Sequence, residues 1–272
     1  VDKRSFIHDE HPHEFLTTAE VLAESSNICT YKIAERLGPK RLYEGLSKFG
    51  IASSTHKLGL KGEQKGQLQS WEKWKKIRFA NISFGQGLLV TGLEIITAYS
   101  AFANGGYLVK PHLIEKIESS KGSLIKPPPQ VTKHKILSFA VAQEIRSALT
   151  LCVEKGTCRE AKLVGYSTAG KTGTAEKFDL KEKRYAKEKR IANFAGLAPA
   201  QDPHLVIYVI IDEPQEKPYY GGKWAAPVFR EIAQRSLKYL NVPQHPKYQQ
   251  LVDVKKKSLT HERKKQVSSQ VF

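Results

Sequence analysis

The sequence predicts an α+β fold, an antiparallel sheet covered by helices, and three observations predict it. Segments with apolar residues at helical spacing come first, strand-like runs follow, and one more helical segment closes the pattern near Leu240. That order fits helices packed on a sheet better than a repeating βαβ unit. The apolar runs Ile191 to Leu197 and Leu205 to Ile211 are separated by Pro199 and Asp202-Pro203, the arrangement of paired strands in one sheet. No internal repeat is present. At 272 residues, 40% hydrophobic and 26% charged, the chain can bury a sizeable core as one large domain or two small ones.

The elements follow from local chemistry. Residues 1–16 are polar and hold His8, His11 and His13 around Pro12, which reads as an exposed, extended approach. A helix starts near Thr17 or Thr18, because Thr17 and Glu20 form a capping-box pattern. Val21 and Leu22 give its apolar face. Ser25-Ser26-Asn27 interrupts the helical period with residues that prefer caps and turns. Ile28, Tyr31, Ile33, Ala34 and Leu37 resume it, and Gly38-Pro39 stops it. Residues 40–50 repeat Leu42, Leu46 and Phe49 at helical spacing, closed by Gly50. Ser53 to Gln69 reads as loop, and Phe84-Gly85-Gln86-Gly87 as a tight turn. Thr91 to Ala103 is amphipathic with Asn104-Gly105-Gly106 behind it. Pro111 to Glu118 suggests a strand, Lys121-Gly122 a turn and Pro127 to Pro129 a rigid loop. Phe139 to Cys152 is a second strong helix. Lys162 to Tyr166 reads as a turn leading to a strand that carries Lys171. Ala225 to Leu240 is the final helix, with Pro227 near its start. Beyond Asn241 the apolar pattern fades, and 241–272 reads as a basic tail.

The formal net charge is +17, concentrated in Lys177 to Arg190 and Val254 to Gln266. Such charge favours anionic partners in general. Neither cluster has the aromatic interleaving of a single-strand binder or a zinc-finger spacing, so both read as solvated loop and tail, and no nucleic-acid partner is expected. The longest apolar run, Leu205 to Ile211, is too short to span a bilayer. Cysteines number three, so at least one is free in a monomer. Cys152 and Cys158 could pair across a short loop. No histidine or cysteine pattern suits a metal, and no cofactor is expected.

Two short motifs carry chemistry. Lys171-Thr172-Gly173-Thr174 sets a cation, two hydroxyls and a glycine on a predicted edge strand, which suits a carboxylate. Gly173 would let a ligand approach the main chain. Ser25-Ser26-Asn27 lies in an inter-helix turn. Residues i and i+2 of a continuous helix face opposite sides, so Ser25 and Asn27 share a cleft only if the chain turns between them. The plainer reading is that Ser26 or Asn27 simply caps the second helix.

In this order and context the two motifs resemble the second and third motifs of penicillin-binding proteins and serine β-lactamases. Thr17 to Gly50, Ser83 to Gly87 with Thr91, and Ala98 to Gly106 also resemble a transpeptidase domain, and Tyr220-Gly221-Gly222 followed by Ala225 to Ile232 resembles class B enzymes, most of all the division-type transpeptidases. The resemblance covers about Ile7 to Leu240, so residues 1–240 are expected to form the C-terminal part of a transpeptidase domain. It implies a peptidoglycan D,D-transpeptidase that works through a serine acyl-enzyme. Stem peptides ending in D-Ala-D-Ala and β-lactams would be its ligands, division and glycosyltransferase proteins its partners, and the outer face of the inner membrane its place. Ser25, Asn27 and Lys171 would be catalytic; Thr172, Gly173 and Thr174 would bind substrate. One departure matters. The family's nucleophile lies in a Ser-x-x-Lys motif upstream of Ser-x-Asn, and none occurs before Ser25. Ser54-Thr55-His56-Lys57 and Ser70-Trp71-Glu72-Lys73 lie on the wrong side and read as chance matches. The chain contains no methionine, and the expectation is a piece of a longer protein that is inactive alone. The alternatives are a serine β-lactamase or β-lactam sensor, a non-catalytic cell-wall scaffold, or a basic nucleic-acid-binding protein.

Overall fold

The structure is a computed structural model that describes residues 6–53, 58, 61–179, 181–182 and 184–249. Helices α1 (Thr18–Glu24), α2 (Asn27–Leu37) and α3 (Pro39–Lys48) open it. Thr17 caps α1 in a reciprocal box with Glu20, as the sequence predicts. Gly38, at φ 84°, divides α2 from α3, and Pro39 starts α3. Helices α4 (Lys76–Ser83) and α5 (Gly92–Ala103) follow, α5 behind a second capping box between Thr91 and Glu94. Two small antiparallel pairs come next: β1 (Tyr107–Val109) with β4 (Lys133–Lys135), and β2 (Ile117–Glu118) with β3 (Leu124–Lys126). Helix α6 (Phe139–Glu154) leads to the main sheet, which runs β5 (Ala169–Asp179), β6 (Arg184–Ala198) and β7 (Leu205–Asp212) in antiparallel order. Helices α7 (Gly221–Tyr239) and α8 (Pro246–Gln249) complete the described chain.

The sheet is covered on both faces, as its alternation requires. Phe194, Val209 and Ile207 point to α7, where Ala225, Phe229, Ala233 and Leu237 recur every fourth residue and are fully buried. The Phe194 and Phe229 rings sit 4.7 Å apart, and burying a ring of that size stabilises by about 1.5–3 kcal/mol. Leu197, Ala169 and Val206 face the other way, onto Tyr99 and Phe102 of α5 and Ile145 and Leu149 of α6. The strand carrying Lys171 is thus fixed from behind, while its outer edge stays unpaired within the sheet.

Several expectations need correction. Pro111 to Glu118 is strand only at Ile117–Glu118, because Pro111 donates no backbone hydrogen bond and the surrounding side chains are exposed. The basic stretch from Lys177 is not a loop: β5 and β6 continue through it, pairing Phe178 with Tyr185 and Asp179 with Arg184. Helix α7 begins at Gly221, four residues early, so Pro227 falls inside it. A Cβ on Gly221 would lie 2.2 Å from the Asn193 carbonyl oxygen and 2.7 Å from that of Gly173, and only a glycine lets the helix start so close to both strands. The stretch past Leu240 does not leave the domain at once. The Tyr166 hydroxyl donates to the Val242 carbonyl at 2.9 Å, the His245 amide to Gly165 at 2.8 Å, and Tyr248 is buried. Cys152 and Cys158 form a disulfide, and Cys29 is free.

Candidate active site

A cleft of about 1050 Å³ opens between the α1–α2 turn, the edge of β5, the loop after α6 and the start of α7. Its geometry begins at Ser25. This residue ends α1 in the left-handed region, at φ 60° and ψ 38°, which reverses the chain between the two helices. Ser26, next to it, is buried and caps α2: its Oγ accepts from the Cys29 amide at 3.0 Å. The capping role and the cleft-facing role therefore coexist on neighbouring residues.

The turn is held from outside by a residue that carries no sequence pattern. Asp9 accepts from the Ser26 hydroxyl at 2.6 Å and from the Ile28 amide at 3.1 Å. Its carboxylate completes the capping of α2, where negative charge is favoured. Asn27 opens α2 and donates from Nδ2 to the His8 carbonyl at 3.2 Å. Glu10, one residue on, accepts a hydrogen bond from Tyr220, whose phenol is pushed above its ordinary value mainly by that bond.

Across the cleft, Lys171 reaches Ser25. Its Nζ donates to Ser25 Oγ at 2.8 Å and to the Thr172 carbonyl at 3.2 Å. The residue borders the cleft, but its ammonium is enclosed by protein, and that burial pushes its pKa down to about 8. The Thr172 hydroxyl lies 3.2 Å from that of Thr157, and Thr174 Oγ1 accepts from the Gly221 amide at 3.2 Å. The first turn of α7, 19 residues long, thus meets the strand at Thr174 and brings the positive end of its dipole to the cleft. Gly173 lines the cleft, and its place in the sheet requires a glycine as well. A Cβ there would lie 2.4 Å from Asn193 Oδ1 on β6, so the glycine makes room for a cross-strand neighbour.

All six residues singled out in the sequence, Ser25, Asn27, Lys171, Thr172, Gly173 and Thr174, line this one cleft. Ser25 and Lys171 are joined directly; Asn27 is turned to His8. Asp9, Thr157, Glu176 and Arg190 also line it and had no signal in the sequence, the last two as an ion pair at 3.0 Å. Ser70 does not line the cleft. It precedes a one-turn 3-10 helix, Trp71–Lys73, with its hydroxyl on Glu72. The Ser54 to Lys57 match lies outside the described residues.

The sequence matches the family model of the penicillin binding protein transpeptidase domain over residues 3–234. It is 39% identical over 239 residues to "Probable peptidoglycan D,D-transpeptidase PbpC" of Pseudomonas aeruginosa, covering 87% of this chain and 40% of that protein. It is 36% identical over 231 residues to "Stage V sporulation protein D" of Bacillus subtilis, covering 85% and 35%. The fold superimposes on penicillin-binding protein 3 of Mycobacterium tuberculosis complexed with aztreonam, at a TM-score of 0.80 and 34% identity, over 89% of this chain and 56% of that one. The complex of the same protein with ampicillin gives a TM-score of 0.81. The chain spans well under half the length of the two full-length relatives.

Proposed function

Since the chain belongs to the penicillin-binding protein transpeptidase family, we propose that it forms most of the carboxylate-binding and proton-relay side of a peptidoglycan D,D-transpeptidase site. The observation that carries this is the 2.8 Å hydrogen bond from Lys171 Nζ to Ser25 Oγ, which joins two motifs 146 positions apart in one cleft. One of the relatives named above, penicillin-binding protein 3 of Mycobacterium tuberculosis, is described in complex with two β-lactams, aztreonam and ampicillin.

The reaction is acyl transfer. A serine hydroxyl, deprotonated by a base, attacks the penultimate D-alanine carbonyl of a stem peptide. The tetrahedral intermediate collapses, the C–N bond breaks, and D-alanine leaves after its nitrogen takes a proton. The acyl group then passes to an amine of a neighbouring stem peptide. In this chain Ser25 stands where it can hand that proton over, with Lys171 as its partner on the strand side. The Lys171 ammonium and the Thr172 and Thr174 hydroxyls hold the terminal carboxylate. The free edge of β5 gives the peptide main-chain hydrogen bonds. The Thr174 amide serves as one oxyanion donor, worth about 3 kcal/mol in the transition state. Asn27 orients the substrate amide once its side chain leaves the His8 carbonyl. A β-lactam takes the same path and stops at the acyl-enzyme.

The nucleophile belongs to a Ser-x-x-Lys motif outside these residues, so the 272-residue chain is inactive alone. The whole protein works at the outer face of the inner membrane, with division and glycosyltransferase proteins as partners. Labelling with fluorescent penicillin tests the reading: the full-length protein is labelled covalently and the isolated chain is not. Labelling of the isolated chain at Ser54 or Ser70 would falsify it.

A further inference from the structure

The loop between α6 and the next turn sits where three parts of the site meet. The Thr157 amide donates to the Ala23 carbonyl at 3.2 Å, two residues before Ser25. The Thr157 hydroxyl lies 3.2 Å from the Thr172 hydroxyl on β5 and 3.4 Å from the same Ala23 carbonyl oxygen. A Cβ on Gly222, in the first turn of α7, would lie 2.9 Å from the Thr157 carbonyl oxygen. Thr157 itself is exposed and lines the cleft. The loop has little freedom: Cys152 and Cys158 are bonded, both fully buried, and Cys158 Sγ lies 3.5 Å from the Gly170 carbonyl oxygen and 3.9 Å from Thr172 Oγ1.

We propose that Thr157 is a positioning residue of the anion site, whose hydroxyl aims the Thr172 hydroxyl at a substrate carboxylate, with the disulfide holding it in place. The proposal rests on the carboxylate-binding role given to Thr172 above. The argument is one of proton counting. Each threonine has one hydroxyl hydrogen. Thr157 can give its own to Ala23 or to Thr172, and Thr172 can give its own to Thr157 or to a ligand. When a carboxylate arrives, Thr172 donates to it, and the oxygen left behind accepts from Thr157. The chain then reads Thr157 to Thr172 to carboxylate, and each hydrogen bond polarises the next. Without the Thr157 hydroxyl, Thr172 has no donor behind it and its own hydrogen is free to turn elsewhere. Ala23 supplies the resting acceptor for Thr157, so the pair can switch without leaving either hydroxyl unpaired.

The test uses the full-length protein that contains this chain and its second-order acylation rate by benzylpenicillin and by benzylpenicillin methyl ester, which lacks the anion. Thr157→Val keeps the shape and removes the hydroxyl; Thr157→Ser keeps the hydroxyl. The expected result is a loss of about tenfold for the acid with Thr157→Val, the cost of one hydrogen bond to a charged group. The ester rate stays within about twofold, and Thr157→Ser keeps both rates within about the same margin. In a Thr172→Val background the Thr157→Val change adds no further loss, because the two act as one unit. An equal loss for acid and ester, or no loss for either, overturns the proposal. If the unaltered protein is not acylated by penicillin, or does not favour the acid over the ester, the reading of the site fails first and takes this proposal with it.

Discussion

Lys171 Nζ donates a 2.8 Å hydrogen bond to Ser25 Oγ, and the two residues come from opposite walls of one cleft. Ser25 belongs to a turn held by its left-handed backbone and by Asp9 behind Ser26. Lys171 belongs to a strand pinned by α5 and α6 on one face and α7 on the other. Neither wall alone makes a site; the bond joins them.

The carboxylate-binding role proposed for Lys171 predicts a pH dependence. Burial lowers its pKa to about 8, because the charged form loses solvation. Below that pH the ammonium is present and a carboxylate finds its counter-ion. Above it the neutral amine predominates and the attraction is lost. Acylation of the full-length protein by penicillin should therefore fall above about pH 8, by roughly tenfold per pH unit at the limit, as the charged fraction falls. Lys171→Arg stays charged and should remove that limb, whatever its absolute rate. A rate profile of the unaltered protein that is flat from pH 7 to about pH 9.5 would contradict this assignment.

Ser25 combines its proposed role with a left-handed backbone. Its φ of 60° is costly for a residue with a Cβ and easy for glycine. Ser25→Gly should be more stable than Ser25→Ala by about 1 kcal/mol, measured by urea denaturation. Both should lose acylation by at least about 100-fold, because both remove the hydroxyl proposed to relay the proton. Equal stability of the two variants would show that the left-handed turn is not under strain.

The disulfide closes a loop of six-residue separation between α6 and the strand leading to the site. In the chain-entropy account, so short a loop contributes about 2 kcal/mol. The double variant Cys152→Ala, Cys158→Ala should lower the melting temperature by about 4–8 °C. Both cysteines are fully buried in the core cluster that also holds Leu163 and Phe229, so the truncation also leaves space there. An unchanged melting temperature would mean the loop is held by packing alone.

Much of this arrangement could be read from residues in advance, where the chemistry is local. The capping boxes at Thr17 and Thr91 mark helix starts to the residue, since a cap needs only its neighbour three positions on. The break at Ser25 to Asn27 was legible because three turn-forming residues interrupt an apolar period. The Lys177 to Arg190 hairpin was not. Its described residues are largely exposed on both faces, so no alternation of apolar and polar residues marks it, and the pairing shows in the structure through cross-strand partners such as the Phe178 and Tyr185 rings, 5.4 Å apart. Asp9 and Thr157 escaped notice for another reason. Each acts on residues at least 15 positions away, through hydrogen bonds alone, and an isolated aspartate or threonine carries no pattern that announces its partner.

Gly156 sets the distance between the two walls. A Cβ there would lie 2.2 Å from the Ala23 carbonyl oxygen and 2.7 Å from its carbon, and both are backbone atoms that cannot rotate aside. Gly156→Ala must therefore push the end of α1 away from the loop after α6. The Thr157 amide would lose its bond to Ala23, and Ser25, two residues further on, would move away from Lys171. Overpacking of this kind costs about 1–3 kcal/mol. The expected outcome is a loss of stability in that range together with a fall in penicillin acylation. The fall should persist at temperatures where the variant is still fully folded by circular dichroism, because the displaced hydroxyl and not unfolding causes it. A variant that loses stability but is acylated at the normal rate while folded would show that the walls can shift without breaking the Ser25–Lys171 contact.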